Sequence, residues 1–313
     1  MAAIVTLTMN PALDVSTSTP HVTPSHKLRC APPQHHAGGG GINVARVLRR
    51  LGADCLAAYP RGGGTGSTLA QLLAQEDVPQ HLIDIEGETR ESFSVVDQSS
   101  GEEFRFVLPG PNLTQREWQS ALTWLTDLSP TPGYLVLSGS LPPGVPDDFY
   151  AQVVCVLKAS TTRIVLDASG APLRLALQTG GVHLFKPSLR ELEELTGQVL
   201  PENAVRIAAA RRLISQQQAA WVALSLGEEG ALLVSDQHAW LAPAIDVPVA
   251  TTTGAGDSFV AGLTWAFSQH FAAEDAFVFG VAAATAALLN PGTTLCTTAD
   301  IERLRPMVRI QAV

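Results

Sequence analysis

The sequence predicts an α/β fold: three layers, with a mostly parallel sheet flanked by helices and a small β-sheet lid. Three observations carry this. From Thr114 onward, short apolar runs alternate with longer segments of helical period. Glycine, serine and proline clusters fall where those runs end. Two stretches, 15–36 and 89–108, break the alternation and read as exposed strands. With 313 residues, 46% of them hydrophobic, the chain is long enough for one large core. It is read as one domain, 1–313, with those two stretches inserted.

Residues 4–9 (IVTLTM) form a buried first strand rather than a signal peptide, because no basic region precedes the apolar run. The strand ends at Asn10-Pro11-Ala12-Leu13-Asp14. Asp14, just past a central strand, is either a ligand group at the carboxyl edge of the sheet or a turn residue. Residues 15–36 are rich in Ser, Thr, Pro and His and carry Lys27 and Arg29. On a strand these two cations share a face and suit a phosphate; otherwise they belong to a solvated edge. Gly38-Gly39-Gly40-Gly41 then opens a helix with apolar Ile42, Val44, Val47 and Leu48. Four consecutive glycines are entropically costly, so this loop reads as an anion site, with Asn43 in the first turn able to bond hydroxyls. Cys55 to Pro60 is another strand, and the glycines at 62–66 open a helix to about Glu76.

Residues 89–108 form a hairpin. Phe93 and Val95 alternate with polar residues, Ser99-Ser100-Gly101 turns, and Phe104 and Phe106 alternate on return. A hairpin with one apolar face needs a cover. With 15–36 it makes the lid, whose apolar face is expected to meet a second copy in a homodimer. Arg90 at its base is a phosphate ligand or a plain surface arginine.

Beyond Thr114 the expected strands are 134–138, 163–167, 183–186, 221–226 and 231–235. The expected helices are 114–127, 147–159, 188–196, 201–217, 255–269, 273–289 and 298–306. Ligand residues of a parallel sheet follow strand ends. Ser138-Gly-Ser140, Asp167, Lys186-Pro-Ser188 with Glu191, and Ser225-Leu-Gly227 all do. Asp167 and Glu191 facing one crevice suggest Mg²⁺ held through water, although Glu191 alone reads equally as a solvent-facing helix residue.

Thr251-Thr-Thr-Gly-Ala-Gly-Asp-Ser-Phe-Val-Ala-Gly262 runs from a glycine turn into an apolar helix. The unpaired N–H groups and positive dipole end there make an anion site. Asp257 in the first turn is then a base that orients a hydroxyl, or simply an acidic residue of a glycine-rich turn.

Composition excludes several classes. A net charge of −9 argues against nucleic acid and acidic membrane as partners. The longest apolar stretch, Gly280 to Leu289, is too short to span a bilayer. Four cysteines without a C-x-x-C pair fit reduced thiols in the cytoplasm and give no zinc signature. G-x-x-x-x-G-K-[ST], G-x-G-x-x-G after the first strand and G-x-S-x-G are all absent. P-loop, dinucleotide and serine-hydrolase chemistry are disfavoured accordingly.

In order, LTMNPALD (7–14), GGGGINVAR (38–46), SGSLPPG (138–144), KPSLREL (186–192), SLGEEGAL (225–232) and TTGAGDSFVAG (252–262) resemble the ribokinase-like (PfkB-type) carbohydrate kinases, over nearly the whole chain. The resemblance implies a Rossmann-like core. Within the family the chain resembles the branch that phosphorylates phosphosugars. Members acting on fructose 1-phosphate or tagatose 6-phosphate carry a lysine where Gly40 stands. KLRC at 27–30 together with GGGGIN resembles the members that transfer the γ-phosphoryl of ATP to the 1-hydroxyl of fructose 6-phosphate, with Lys27 and Arg29 replacing the loop lysine. Those two other phosphosugars remain alternatives, and a catalytically silent sugar- or nucleotide-binding protein is a rival of another class.

The resemblance further implies roles. Asp257 is the base, and the N–H groups of Gly254, Ala255 and Gly256 form the anion hole. Asp14, Gly39, Gly40 and Asn43 hold the sugar; Lys27, Arg29, Arg90 and Ser138, with Ser140, hold its phosphate. Lys186, Ser188, Ser225, Gly227 and Gly230 cradle ATP, the adenine lies over Gly280–Asn290, and Mg²⁺ sits near Glu191 and Asp167. K⁺ is implied on carbonyls of Thr251, Thr253, Asn290 and Gly292. One departure stands out: Ser188 occupies the position of the family's asparagine.

Overall fold

A computed structural model describes residues 3–313. In chain order the elements are β1 (Ile4–Leu7), β2 (Ala12–Thr19), β3 (Gln34–Gly38), α1 (Gly40–Arg50), β4 (Cys55–Arg61), α2 (Gly63–Gln75), β5 (Gln80–Asp84), β6 (Arg90–Asp97) and β7 (Glu103–Val107). Then follow α3 (Gln115–Thr126), β8 (Tyr134–Ser138), α4 (Phe149–Leu157), β9 (Arg163–Asp167), α5 (Gly170–Thr179), β10 (Val182–Phe185), α6 (Leu189–Thr196) and α7 (Asn203–Ser215). The last third holds β11 (Ala219–Ser225), β12 (Ala231–Val234), β13 (Ala239–Ala242), α8 (Ala255–Ser268), α9 (Ala273–Leu288), α10 (Thr298–Leu304) and β14 (Gln311–Ala312).

Ten strands make one sheet in the order β14-β13-β12-β11-β10-β9-β8-β1-β4-β5. Pairings from β11 to β5 are parallel, and β11 to β14 are antiparallel. Alternate residues of a strand feed opposite layers. In β8, Leu135 and Leu137 join the core under α3 to α7, whereas Tyr134 and Val136 join the core under α1, α8, α9 and α10. Each fully buried Phe or Leu in these layers contributes about 1.5–3 kcal/mol.

Four strands make the lid, ordered β3-β2-β6-β7. The register pairs Asp14 with Ser92 and Ser94 with Arg105 on one face. On the other face Phe93 pairs with Phe106 and Val95 with Phe104. The lid is thus polar on one side and apolar on the other, as the hairpin alternation predicts.

Several expectations are corrected. Residues 20–33 form no strand, because Pro20, Pro24, Pro32 and Pro33 remove ladder donors and restrict the residues before them. Lys27 and Arg29 therefore do not share a strand face; they sit on an exposed excursion. The first strand stops at Leu7, though Thr8 and Met9 stay buried. The sequence reading misses α5, β5, β13 and β14. Pro172 in the first turn of α5, a tolerated position for proline, disguised it as a loop.

Candidate active site

The parallel strands deliver their carboxyl ends to one edge of the sheet, the edge where open α/β sheets bind ligands. Ser138 ends β8, Asp167 ends β9, Lys186 follows β10 and Ser225 ends β11. A cavity of about 360 Å³ lies beside this edge, under the lid. Asp14, Gly39, Gly40, Asn43, Arg90, Gly254, Asp257 and Gly292 all line it, so the structure gathers these sequence-predicted residues into one place. Asp14 stands within β2 and not in a turn.

Helix α8 enters from Gly254, which adopts φ 76°, ψ 0°. A side chain at that position would be strained and would strike Leu295. The first α8 hydrogen bond runs from Ser258 N to Gly254 O, 2.9 Å. The N–H groups of Ala255, Gly256 and Asp257 have no partner one turn back and face the positive dipole end. Asp257 accepts a 2.8 Å bond from Asn43 Nδ2, which joins α8 to α1. Burial pushes the Asp257 carboxyl up to about 6; neighbouring Asp167 adds to this, and Asn43 and Lys186 oppose it. An acid poised there is ionised at neutral pH yet basic enough to take a hydroxyl proton.

Asp14 is likewise pushed up to about 6 by burial, against the pull of Arg105, Arg90 and Arg46. Arg90 uses part of its guanidinium structurally. Nη2 donates to Asn10 O at 3.1 Å, and Nη1 donates to Leu108 O at 3.0 Å. It thereby ties the end of the hairpin to the connection between β1 and β2 and keeps other donors for an anion. Arg105 also lines the cavity, and sequence reasoning missed it. The signal was present: Arg105 lies on the hairpin face opposite to Phe104 and Phe106. Lys27 and Arg29 do not line the cavity.

At the ends of β9 and β10, Lys186 Nζ lies 3.1 Å from Asp167 Oδ1. Burial works against the Lys186 charge, but Asp167, Glu191 and Asp257 outweigh it and hold the ammonium protonated. Ser138 is buried and pairs in register with Asp167 across β8 and β9; Ser140 Oγ accepts from Asn10 Nδ2 at 3.1 Å. Ser188 and Ser225 meet across a β-bridge, next to Gly227, which opens a short 3₁₀ turn.

Ser188 is the N-cap of α6 in a capping box: Glu191 N donates to its Oγ at 3.3 Å, and Ser188 N and Oγ each lie 2.8 Å from Glu191 Oε2. Glu191 is thus neither free nor solvent-facing; one carboxylate oxygen caps the helix and the other is available. Gly230 is explained by packing, since a Cβ there would meet Ala242 O and Ala244 N, so it has no need of a phosphate. Within 280–290 only Ala284, Leu288, Leu289 and Asn290 are reachable, which confines any base-stacking surface to that face.

The implied ions can be tested against the donors. Among the described residues no three acidic, His or Cys side chains group as a metal site. Asp167 is committed to Lys186, so the chain offers Mg²⁺ one carboxylate oxygen of Glu191, which fits an ion carried by phosphates and water. The carbonyls of Thr293, Thr294 and Cys296 are taken by Arg46 and Arg50. Those of Thr251, Thr253, Asn290 and Gly292 accept no hydrogen bond among the described residues, which fits a monovalent cation.

Residues 2–300 match the model of the pfkB family of carbohydrate kinases. An ATP-dependent 6-phosphofructokinase isozyme 2 from Mycobacterium tuberculosis is 42% identical over 300 residues, covering 96% of this chain and 88% of the relative. The crystal structure of phosphofructokinase-2 from Escherichia coli in complex with potassium superposes with a TM-score of 0.93 at 38% identity, covering 98% of this chain and 99% of that one. Its complex with fructose-6-phosphate gives a TM-score of 0.90 at 37% identity with the same coverage. A 1-phosphofructokinase from Xanthomonas campestris is 35% identical over 262 residues, covering 83% of this chain and 82% of the relative.

Proposed function

The chain belongs to the pfkB family of carbohydrate kinases, and from that premise we propose that it transfers the γ-phosphoryl of ATP to the 1-hydroxyl of fructose 6-phosphate. The observation that carries this reading is the pairing of Asp257 with the bare N–H groups that open α8, facing a cavity walled by Asp14, Arg90 and Arg105. That is a base, an anion hole and a phosphate clamp around one small space.

In the proposed reaction Asp14, Gly39 and Asn43 position the sugar hydroxyls, and Arg90 and Arg105 hold the sugar's own phosphate. Asp257 accepts the 1-hydroxyl proton as that oxygen attacks the γ-phosphorus, the bond from phosphorus to the β,γ-bridging oxygen breaks, and ADP leaves. The N–H groups of Gly254, Ala255 and Gly256 receive the charge on the moving phosphoryl group, a site pre-organised by the helix dipole. Lys186, Ser188, Ser225 and Gly227 hold the nucleotide phosphates. Glu191, through water, would hold Mg²⁺, which would supply neutralisation of phosphate charge, and the open carbonyls of Thr251, Thr253, Asn290 and Gly292 would hold K⁺ beside the loop that opens α8. Substitution of Ser188 for asparagine leaves the capping role intact and removes an amide from the phosphate side.

The same reading includes a homodimer. Phe93, Phe104 and Phe106 share the apolar lid face and lie 37%, 36% and 55% exposed, and a second copy covers that face. Phe106→Glu is expected to give a monomer in sedimentation; an unchanged mass would reject the lid as interface. The reaction belongs to the cytoplasm, where ATP is made and the four cysteines, all free in the structure, stay reduced.

Turnover of fructose 6-phosphate, tagatose 6-phosphate and fructose 1-phosphate at fixed MgATP tests the substrate. We expect the highest kcat/KM with fructose 6-phosphate, consistent with Gly40 where the rival classes carry lysine. A higher value with another phosphosugar would reassign the substrate. ATP binding without any turnover would make the chain a silent binder.

A further inference from the structure

Arg46 is 2% exposed and does not line the cavity. A guanidinium is costly to bury unless its donors are met. Here they are. Nε and Nη2 donate to Glu76 Oε1 at 2.8 and 2.7 Å. Nη1 donates to Ala37 O at 3.0 Å and Thr293 O at 2.9 Å, and lies 3.4 Å from Asn43 Oδ1. Three parts of the active site converge on this one group. Ala37 belongs to lid strand β3, Thr293 to the loop that lines the cavity, and Asn43 to the pair with Asp257.

We infer that Arg46 is a positioning residue: it orients the Asn43 amide so that its NH₂ faces Asp257, and it ties the lid strand and the Thr293 loop to the same turn of α1. This rests on the reading of Asp257 as base. An asparagine amide has two nearly isosteric orientations. The flipped one would put Oδ1 against the Asp257 carboxylate and the NH₂ against the Arg46 guanidinium, two repulsive contacts at once. Arginine suits the task because its planar fork serves several acceptors in fixed directions; lysine has a single point of attachment. The charged groups around Asp257 are Asp167, Lys186 and Asp14. Those around Arg46 are Glu76, Arg50, Asp14 and His36.

The test is the pH dependence of kcat/KM for fructose 6-phosphate in wild type, Arg46→Lys and Asp257→Asn, with melting temperature measured beside it. Arg46→Lys keeps the buried charge and loses the fork. We expect kcat/KM to fall about tenfold. We also expect the acid limb to move upward by about half a pH unit or more, as Asp257 loses a directed donor. Glu76→Gln, which alters the far anchor of Arg46 and lies outside the cavity, should shift the limb in the same direction by less, and it serves if the lysine variant does not fold. An acid limb superimposable on wild type in both variants, with Asp257→Asn inactive, overturns the positioning role and leaves the base standing. Asp257→Asn at near wild-type turnover overturns the base and this inference with it.

Discussion

Lys186 Nζ and Asp167 Oδ1 stand 3.1 Å apart beneath the first turn of α8. A methyl group added at Gly256 would lie 3.5 Å from that ammonium. The pair therefore places a fixed positive charge directly behind the first turn of α8, and Asp167 keeps that charge in position.

Lys186→Met should lower kcat by about 10²–10³, the scale of losing one pre-organised stabiliser of transition-state charge. It also leaves Asp167 buried and unpaired, at about 3–5 kcal/mol. The double variant with Asp167→Asn should recover most of the melting temperature and none of the turnover. Recovery of both would show the lysine to be structural only.

Asp257→Asn should lower kcat by about 10²–10⁴, with the fold unchanged by circular dichroism. In wild type, kcat/KM should fall as pH drops through about 6, because the carboxyl must be ionised to act. Stability carries the opposite sign. The unfolded carboxyl titrates near 3.9, so the folded state holds an extra proton between there and about 6. It loses relative stability as pH rises through that window. Asp257→Asn should be more stable than wild type near neutral pH, by about 3 kcal/mol, and the gap should close near pH 4. A lower melting point near neutral pH would contradict the raised carboxyl.

Arg105→Ala should raise KM for fructose 6-phosphate about 10–100-fold, the loss of a charged hydrogen bond, with KM for ATP within about twofold. Arg90→Ala should do the same and also lower the melting temperature, because its bonds to Asn10 O and Leu108 O hold the lid. Equal effects on both substrates would remove these arginines from the phosphate clamp.

Gly254→Ala forces a side chain into a left-handed conformation, at about 1–2 kcal/mol, and against Leu295. The loop must shift, so kcat should fall much more than the melting temperature. Isothermal titration with the phosphosugar alone should give an affinity close to wild type, since the acceptor groups lie elsewhere.

Strands with a clear apolar run were legible in the sequence: 134–138 and 163–167 coincide with Tyr134–Ser138 and Arg163–Asp167. Short edge strands such as β14, with both residues exposed, leave no periodic trace. In the site, each loop was visible, but its partner was not. Asn43 and Asp257 are 214 residues apart, and neither local pattern names the other. Lys27 and Arg29 were misplaced because alternation outweighed the four prolines around them. Arg46 read as one more residue of an amphipathic helix, and only its buried partners reveal a task. The Glu191 carboxylate was in register with a metal role, while the serine that caps it was visible only as a departure.

Ala250 N and Thr251 N both donate to Leu288 O, at 2.7 and 3.4 Å, and Arg46 holds Thr293 O. The segment that opens α8 is thus moored to residues that follow it in the chain. A chain emerging from the ribosome carries the cavity residues Asp14, Asn43, Arg90 and Arg105 long before Asp257. The moorings of the anion hole come only with residues 288–293. A chain stalled or clipped before residue 288 therefore contains Asp257 without the bonds that fix the segment before it. Assembly of the segment that opens α8 waits on residues 288–293.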